Sequence, residues 1–314
     1  MTEPPVEPLS IAIPFYKGHA YLRAAIESVR KQSSPHWQLV VCDDGPEAGT
    51  AELLASFGDP RMRYLRNDRN LGMAGNWNRC LDAAETDLVN LLHNDDELLP
   101  NYVETMLRAG REYPKAAAFF CGAKVIDAAG RESFSFVDYV KRFLQPRTQG
   151  PIVLEGQSAV EALMHGDFIM CPTVCYRKSR LPADRFRADW RMVLDLDFFV
   201  RILLGGGIMV GLPAVAYAYR RHAGNATAQY TESLLRFEEE SRLHDRVAAE
   251  ARDRGWPVVA RVAARKRIIK LHLLFRILQD VSRFRLRSAG RKWNFLYGLF
   301  RSSGIKRLRG ASPR

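Results

Sequence analysis

Two acidic runs in this 314-residue sequence are equipped for chemistry: Asp43-Asp44-Gly45 and His93-Asn94-Asp95-Asp96-Glu97. Each ends an apolar stretch, residues 37–42 and 88–92 respectively. Neighbouring carboxylates repel unless a cation or a donor-rich ligand joins them. Asp, Asn and Gly are also turn formers, so either run by itself reads as turn chemistry. Two such runs closing alternate strands favour a shared binding edge.

The elements that must position these runs follow from periodicity. Short apolar runs at 9–15, 37–42, 62–65, 88–92 and 116–120 alternate with amphipathic segments at 19–32, 50–57, 74–84 and 100–112. Leu22, Ile26 and Val29 share one face of the first amphipathic segment, and Pro100 suits a helix opening. Strands separated by helices imply crossover units, hence an α/β fold with a mostly parallel sheet flanked by helices. Ligands of such sheets bind beyond the carboxyl ends of the strands, where both acidic runs fall. After about residue 124 the rhythm changes. Residues 127–150 read as a long mobile loop, 158–164 as helix, 168–176 as strand, 195–204 as helix, 208–219 as strand and 231–254 as a long charged helix.

Several motifs then stand in order: Ser10-Ile-Ala-Ile-Pro-Phe-Tyr16, Gln32, Val41-Cys-Asp-Asp-Gly45, Asn70-Leu-Gly72, Asn78 and Leu92-His-Asn-Asp-Asp-Glu-Leu-Leu-Pro100. The ordered set resembles the nucleotide-sugar-binding half of a family 2 glycosyltransferase with the GT-A fold, over residues 9 to about 112. Asp195-Leu-Asp-Phe-Phe-Val-Arg201 resembles that family's acid-then-arginine helix, and Arg220-Arg221-His222-Ala-Gly-Asn225 its arginine–histidine segment. The division this implies is a catalytic domain over 1–230, with a donor half at 9–123 and an acceptor and base half at 124–230, followed by a helical basic extension over 231–314.

The resemblance implies transfer of one sugar, with inversion, from a nucleoside diphosphate sugar, a UDP-sugar foremost. The acceptor is a hydroxyl of a glycan or lipid-linked molecule, as in surface polysaccharide synthesis. Negative charge builds on the leaving diphosphate, and a divalent cation (Mn2+ or Mg2+) held by hard carboxylate oxygens stabilises it. On this pattern Asp95 is the metal ligand and Asp96 its support or a sugar contact. His222 is a further ligand or a diphosphate donor, or else a structural histidine. Asp43 and Asp44 hydrogen-bond the nucleoside, Pro14 and Tyr16 wall the base, and Asn70 and Asn78 complete that half. Arg220 and Arg221 neutralise the diphosphate or lie on the surface. Asp195 is the general base, whose loss costs on the order of 10² to 10⁴ in rate.

Departures from the pattern matter. His93 replaces the signature's first acid and Asn94 occupies its second position, while Leu194 replaces the acid before the base. Imidazole is a poorer Mn2+ ligand than carboxylate but still hydrogen-bonds ribose or phosphate. Asp197 lies roughly 200° around a helix from Asp195 and should face away. It and Asp189 are the alternatives to Asp195. The Gln-x-x-Arg-Trp signature of processive synthases is missing, which favours single-sugar addition. A nucleotidyltransferase would want a glycine- and lysine-rich phosphate loop where this chain has Pro14-Phe-Tyr-Lys17. His93 keeps open a membrane-associated nucleotide-sugar-binding protein on a catalytically decayed transferase fold.

Composition sets the remaining bounds. At 47% apolar and 26% charged residues the chain is globular rather than disordered. The net charge of +12 is unevenly spread: residues 251–314 hold 18 Lys and Arg against Asp253 and Asp280, leaving 29 bases and 33 acids in the first 250. In the tail, 261–287 and 291–301 interleave bases with Leu, Ile, Phe, Tyr and Trp293. Such segments suit a helix lying in the headgroup plane of an anionic membrane, the partner expected for 258–314. No nucleic-acid reader module is recognisable, so nucleic acid is not expected. The acidic, proline-rich start lacks the features of a signal peptide, and no apolar run reaches a membrane-spanning 18 residues. Five scattered cysteines fit buried reduced thiols, and Cys171 and Cys175 lack the second pair that a zinc site needs. The expected location is the cytoplasm, peripheral on the cytoplasmic face of the membrane.

Overall fold

A computed structural model describes residues 7–134, 150–222 and 230–309, with side chains to residue 301. The chain forms two compact units, residues 1–159 with 168–223, and 160–167 with 224–314.

The first unit opens with crossover units: β1 (Leu9–Phe15), α1 (His19–Arg30), β2 (Trp37–Asp43), α2 (Thr50–Ala55), β3 (Met62–Arg66), α3 (Gly72–Ala83) and β4 (Leu88–Leu91). These strands lie in the order β3-β2-β1-β4 and pair in parallel. Leu9, Ile11, Ile13 and Phe15 of β1 and Leu39 and Val41 of β2 are buried, as strands covered by helices require. In register, Phe15 pairs with Asp43 and Asp43 with Arg66, so three strands end together and the acidic run of β2 emerges at their carboxyl edge.

The sheet continues through β5 (Glu97–Leu98), β6 (Ala116–Ile126), β7 (Ile152–Leu154), β8 (Cys175–Arg177) and β9 (Ile208–Arg220), with α4 (Tyr102–Glu112), α5 (Gly156–His165) and α6 (Leu194–Leu204) between them. The order beyond β4 is β8-β6-β9-β5, and β7 also pairs with β9. Here the sheet is mixed. β8 runs antiparallel to β4 and β6, while β9 is parallel to β6 and antiparallel to β5 and β7.

Four segments differ from expectation. The strand at 168–176 shrinks to Cys175–Arg177, because Cys171–Thr173 forms a 3-10 turn around Pro172. Proline has no N–H for a ladder. β6 runs on past 120 to Ile126, carried along β9 by register shifts near Gly122. Of the loop expected at 127–150, residues 135–149 lie outside the described residues. Its first part is a turn in which the Asp127 amide donates to the Arg131 carbonyl at 2.8 Å. The long charged helix, α7 (Leu235–Asp253), starts later than 231, because Leu234 adopts a left-handed φ of 70°.

In the second unit α7 packs with α8 (Pro257–Arg265), and His244 Nδ1 lies 3.1 Å from the Ala263 carbonyl oxygen. Helices α9 (Arg267–Ser282) and α10 (Leu286–Arg309) form a hairpin whose core includes Phe237, Leu273, Ile277, Leu296 and Leu299. Lys292 donates to Asp280 at 2.6 Å inside it, with both side chains buried.

Candidate active site

The loop after β2 is organised by hydrogen bonds from the protein itself. Asp43 is fully buried; its Oδ2 accepts from the Tyr64 hydroxyl and from Arg66, both at 2.7 Å, and its Oδ1 from the Gly45 amide at 2.9 Å. Asp44 is 8% exposed. Its Oδ1 accepts from the Leu71 amide at 2.7 Å and Asn67 Nδ2 at 2.9 Å, and its Oδ2 from the Gly72 amide at 3.0 Å. That last donor opens α3, so the carboxylate also faces the positive end of the helix dipole. A carboxylate has about four acceptor directions, and three of those of Asp44 are filled. One direction on Oδ2 is left for a ligand.

Asn70 reinforces this loop, donating to the Asp44 carbonyl at 3.1 Å and accepting from the Gly72 amide at 2.9 Å. Gly45 is required by close approach: a Cβ there would lie 1.6 Å from the Tyr16 carbonyl oxygen. Half-buried Pro14 and exposed Tyr16 therefore stand beside the Asp43–Gly45 turn. Asn94 Nδ2 donates to the Lys17 carbonyl at 3.1 Å and the Gly18 amide to Glu47 at 2.9 Å, joining the loops after β1, β2 and β4. Asn78 is engaged differently. It donates to and accepts from the Phe186 backbone, at 2.8 and 3.0 Å, and so pins that segment to α3.

The loop after β4 has a second buried acid. Asp96 is 1% exposed; it accepts from the Arg220 amide at 2.7 Å and from the Tyr217 hydroxyl at 3.1 Å. Burial, and then the neighbouring Asp95, push its carboxyl well above the usual carboxylate range. Arg220 clamps the whole loop from β9. Its Nε donates to the Asp95 carbonyl at 2.7 Å, Nη1 to the Asp127 carbonyl at 3.1 Å, and Nη2 pairs with Glu97. With 3% exposure Arg220 is buried, contrary to its surface reading, and its donors are taken by these loops. Arg221 is exposed, its guanidinium 5.5 Å from the Tyr219 ring centre.

Asp95 is the outward acid. Its Oδ2 lies 3.0 Å from His222 Nε2, and the His222 ring packs against Tyr21 at 5.2 Å. His93 is half-buried, its ring packed against Trp77 with ring centres 5.3 Å apart. Burial lowers its pKa, while the charges of Asp95 and Asp195 pull the other way, which places both carboxylates within electrostatic reach. His93 Nε2 is buried with no hydrogen-bond partner among the described residues. Ligating atoms of His93, Asp95 and Asp96 lie within 4.8 Å of one another. A neutral imidazole with an open nitrogen, beside an outward carboxylate and a second imidazole, fits a divalent cation.

Asp195 sits half-buried in the first turn of α6, accepting from the Leu196 amide at 2.9 Å. Asp197, on the opposite side of the helix, is fully buried and takes Arg201 Nε at 2.8 Å. Arg201 also donates to the carbonyls of Asp184 and Arg185, and burial lowers its pKa to about 10. The helix face thus separates the two acids as its period requires, and Asp189 lies exposed in the loop before it.

The sequence motifs gave no sign of Tyr64, Arg66, Tyr217 or the clamp role of Arg220. The Asp96–Arg220 bond joins residues 124 positions apart. The available signal was the Tyr-Leu-Arg ending of β3, beside the strand that carries Asp43.

Comparison with known proteins bears on this arrangement. Residues 10–156 match the family model described as Glycosyl transferase family 2. An uncharacterized Mycobacterium tuberculosis protein is 30% identical over 212 residues, covering 65% of this chain and 65% of that protein. The Escherichia coli UDP-Glc:alpha-D-GlcNAc-diphosphoundecaprenol beta-1,3-glucosyltransferase WfgD is 33% identical over 99 residues, 32% of this chain and 39% of that protein. The chain thus spans less than two thirds of the length of these relatives. Among solved structures, Staphylococcus aureus TarS 1-349 in complex with UDP superposes with a TM-score of 0.56 at 15% identity, covering 98% of this chain and 93% of that one. The same fragment in complex with UDP-GlcNAc gives 0.55 at 17%, covering 77% and 66%. At such identity the likeness is one of fold, the GT-A type.

Proposed function

Residues 10–156 belong to glycosyl transferase family 2, and from that premise we propose that the protein transfers one sugar, with inversion, from a UDP-sugar to a hydroxyl of a glycan or lipid-linked acceptor. The observation that carries this reading is the gathering of Asp95, His222, His93 and Asp195 at the strand edge that also carries Asp44. Donor and acceptor classes draw support from the relatives. WfgD is named for a UDP-Glc donor and a diphosphoundecaprenol-linked acceptor, and TarS has structures with UDP and UDP-GlcNAc.

Each residue has a task on this reading. Asp95 and His222 hold Mn2+ or Mg2+, with the open nitrogen of His93 within reach. When bound, the cation offsets the charge that gathers on the departing diphosphate. Asp44 offers its remaining Oδ2 acceptor direction to the imide N–H of the base, which Pro14 and Tyr16 flank. Asn70 keeps Asp44 in place, and Asn78 acts through the segment it pins. Asp43 and Asp96 fix the two loops, and Arg221 faces the diphosphate. Asp195 takes the proton from the acceptor hydroxyl as that oxygen attacks opposite the leaving group. One base and a single displacement give inversion. The catalytic domain extends to about residue 230, and the basic extension attaches the enzyme peripherally to a membrane, where a lipid-linked acceptor resides.

The test is release of UDP from a panel of UDP-sugars by purified protein, with and without Mn2+, beside thermal-shift binding of the same panel. Metal-dependent turnover is expected. Binding without turnover of any donor would instead leave a nucleotide-sugar-binding protein on a decayed transferase fold.

A further inference from the structure

The hairpin of α9 and α10 buries one face of each helix and leaves a second apolar face in the open. On α9, Leu271, Leu274, Phe275 and Leu278 are 41–63% exposed. On α10, Trp293, Tyr297 and Phe300 are 54–57% exposed. At roughly 100° per residue each set falls on one stripe, which lies roughly opposite the buried stripe of Leu273 and Ile277 on α9 and beside that of Leu296 and Leu299 on α10. The two open stripes are neighbours, since the Lys270 ammonium of α9 sits 4.6 Å from the exposed Phe300 ring of α10. At the turn, Phe284 is 89% and Leu286 66% exposed, and they alternate with Arg283, Arg285 and Arg287.

Charge distinguishes the possible occupants of this face. Residues 267–301 contain nine Lys and Arg and one acid, Asp280. That acid is turned inward and spent on Lys292. Glu232 takes Arg276 at 2.9 Å and lies 3.6 Å from Lys292. The inward bases are therefore neutralised within the unit, whereas Arg267, Arg283, Arg285, Arg287, Arg291 and Arg301 are exposed around the apolar stripes. A second copy of this face would bring like charges together. A peptide groove needs concavity, but these stripes lie on the outer faces of helices. Exposed Trp and Tyr among arginines match the boundary between headgroup and acyl chain of an anionic bilayer. Neither helix is long and apolar enough to cross a membrane, so such a hairpin lies in the interface.

We infer that the α9–α10 hairpin is an interfacial membrane-binding element. Trp293, Tyr297, Phe300 and Phe284 enter the headgroup–acyl boundary, and the surrounding arginines engage anionic phospholipid headgroups. This deepens the membrane attachment proposed above, but it does not depend on glycosyl transfer.

Flotation of the full chain with vesicles tests it without any donor sugar. Phosphatidylcholine vesicles are compared with phosphatidylcholine–phosphatidylglycerol vesicles. The expected result is binding to the anionic vesicles alone, weakened by salt, with a blue shift of tryptophan emission that the W293F variant lacks. W293S/Y297S/F300S and R283Q/R285Q/R287Q alter only exposed side chains, and their unfolding midpoints report that they are folded. Each should bind anionic vesicles more weakly, the charge variant by on the order of a hundredfold. Equal binding to neutral vesicles, or variants that bind like the parent, overturns the assignment. So does a concentration-dependent dimer that both variants abolish, with no vesicle binding. UDP release measured on the same preparations separates this outcome from failure of the transferase reading.

Discussion

The loops after β2 and β4 solve one electrostatic problem in two ways. Each holds adjacent aspartates, and in each the more deeply buried one is held by a tyrosine hydroxyl and an arginine from a neighbouring strand. Asp43 has Tyr64 and Arg66; Asp96 has Tyr217 and the backbone amide of Arg220. The outward acids differ. Asp44 is met by two backbone amides and Asn67, which tie it to the start of α3. Among the described residues Asp95 meets one titratable hydrogen-bond partner, His222, and lies near His93, whose Nε2 has no partner there. Adjacent acids therefore do not by themselves signal a cation, because the fold supplies donors to one member of each pair. What favours the β4 loop for the proposed cation is that Asp95 is left to imidazoles.

The largest effect that would break this contrast lies just outside both loops. Asp195→Asn should lower transfer by about 10² to 10⁴ while leaving donor affinity nearly intact, since only the proton acceptor is lost. Steady-state rates and a donor titration on the same preparation decide this. Surviving activity would move the base to Asp189, because Asp197 is buried against Arg201. Next comes Asp95→Ala, which removes the carboxylate that His222 meets in the β4 loop. Metal-dependent donor affinity should fall by roughly 10²-fold, with little change without Mn2+. Unchanged affinity in Mn2+ would remove the distinction drawn between the loops.

Asp44→Ala probes the other side of the contrast. Three donors would lose their acceptor, and a part-buried donor left unpaired costs about 1 to 3 kcal/mol. Water reaches part of this loop, so a net loss of about 2 kcal/mol is expected, read by urea unfolding. Asp95→Ala should change stability far less. If Asp44→Ala spares stability and weakens only donor binding, the β2 loop is a ligand loop in the same sense as the β4 loop.

How much of this was legible depends on how local the cause is. The first four strands and their crossovers follow from apolar periodicity, and both acidic runs fall at the edge that a parallel sheet dictates. The inward turn of Asp197 follows from helix geometry alone. The division of labour within each acid pair does not, because the partners are remote. Arg220 reaches Asp96 across 124 positions, and Asn78 reaches Phe186 across 108. No local period encodes such bonds. The strand expected at 168–176 failed for a local reason that was visible, Pro172 in its middle. The tail's bases and apolar residues were evident in sequence, but only the hairpin sorts Lys292 and Arg276 inward and leaves Trp293 and Tyr297 exposed.

The smallest expected effect sharpens the comparison at Asp43. Tyr64→Phe removes one donor to a carboxylate that keeps Arg66 and the Gly45 amide, so the cost should be about 1 kcal/mol. Its pH dependence is more telling than its size. Burial first, and then Asp43, raise the Tyr64 pKa above the ordinary phenol value of 10.0. Below that pH the phenol is neutral in both folded and unfolded chains, and its contribution is fully present. As pH rises past about 10, the unfolded chain releases the proton before the folded one does, and stability falls until the folded phenol ionises too. Urea unfolding on either side of about pH 10 should therefore show a decline in the parent that is shallower in Tyr64→Phe. An equal decline in both would mean that the hydroxyl does not hold Asp43, and that the β2 loop is less fully satisfied by the fold than its geometry indicates.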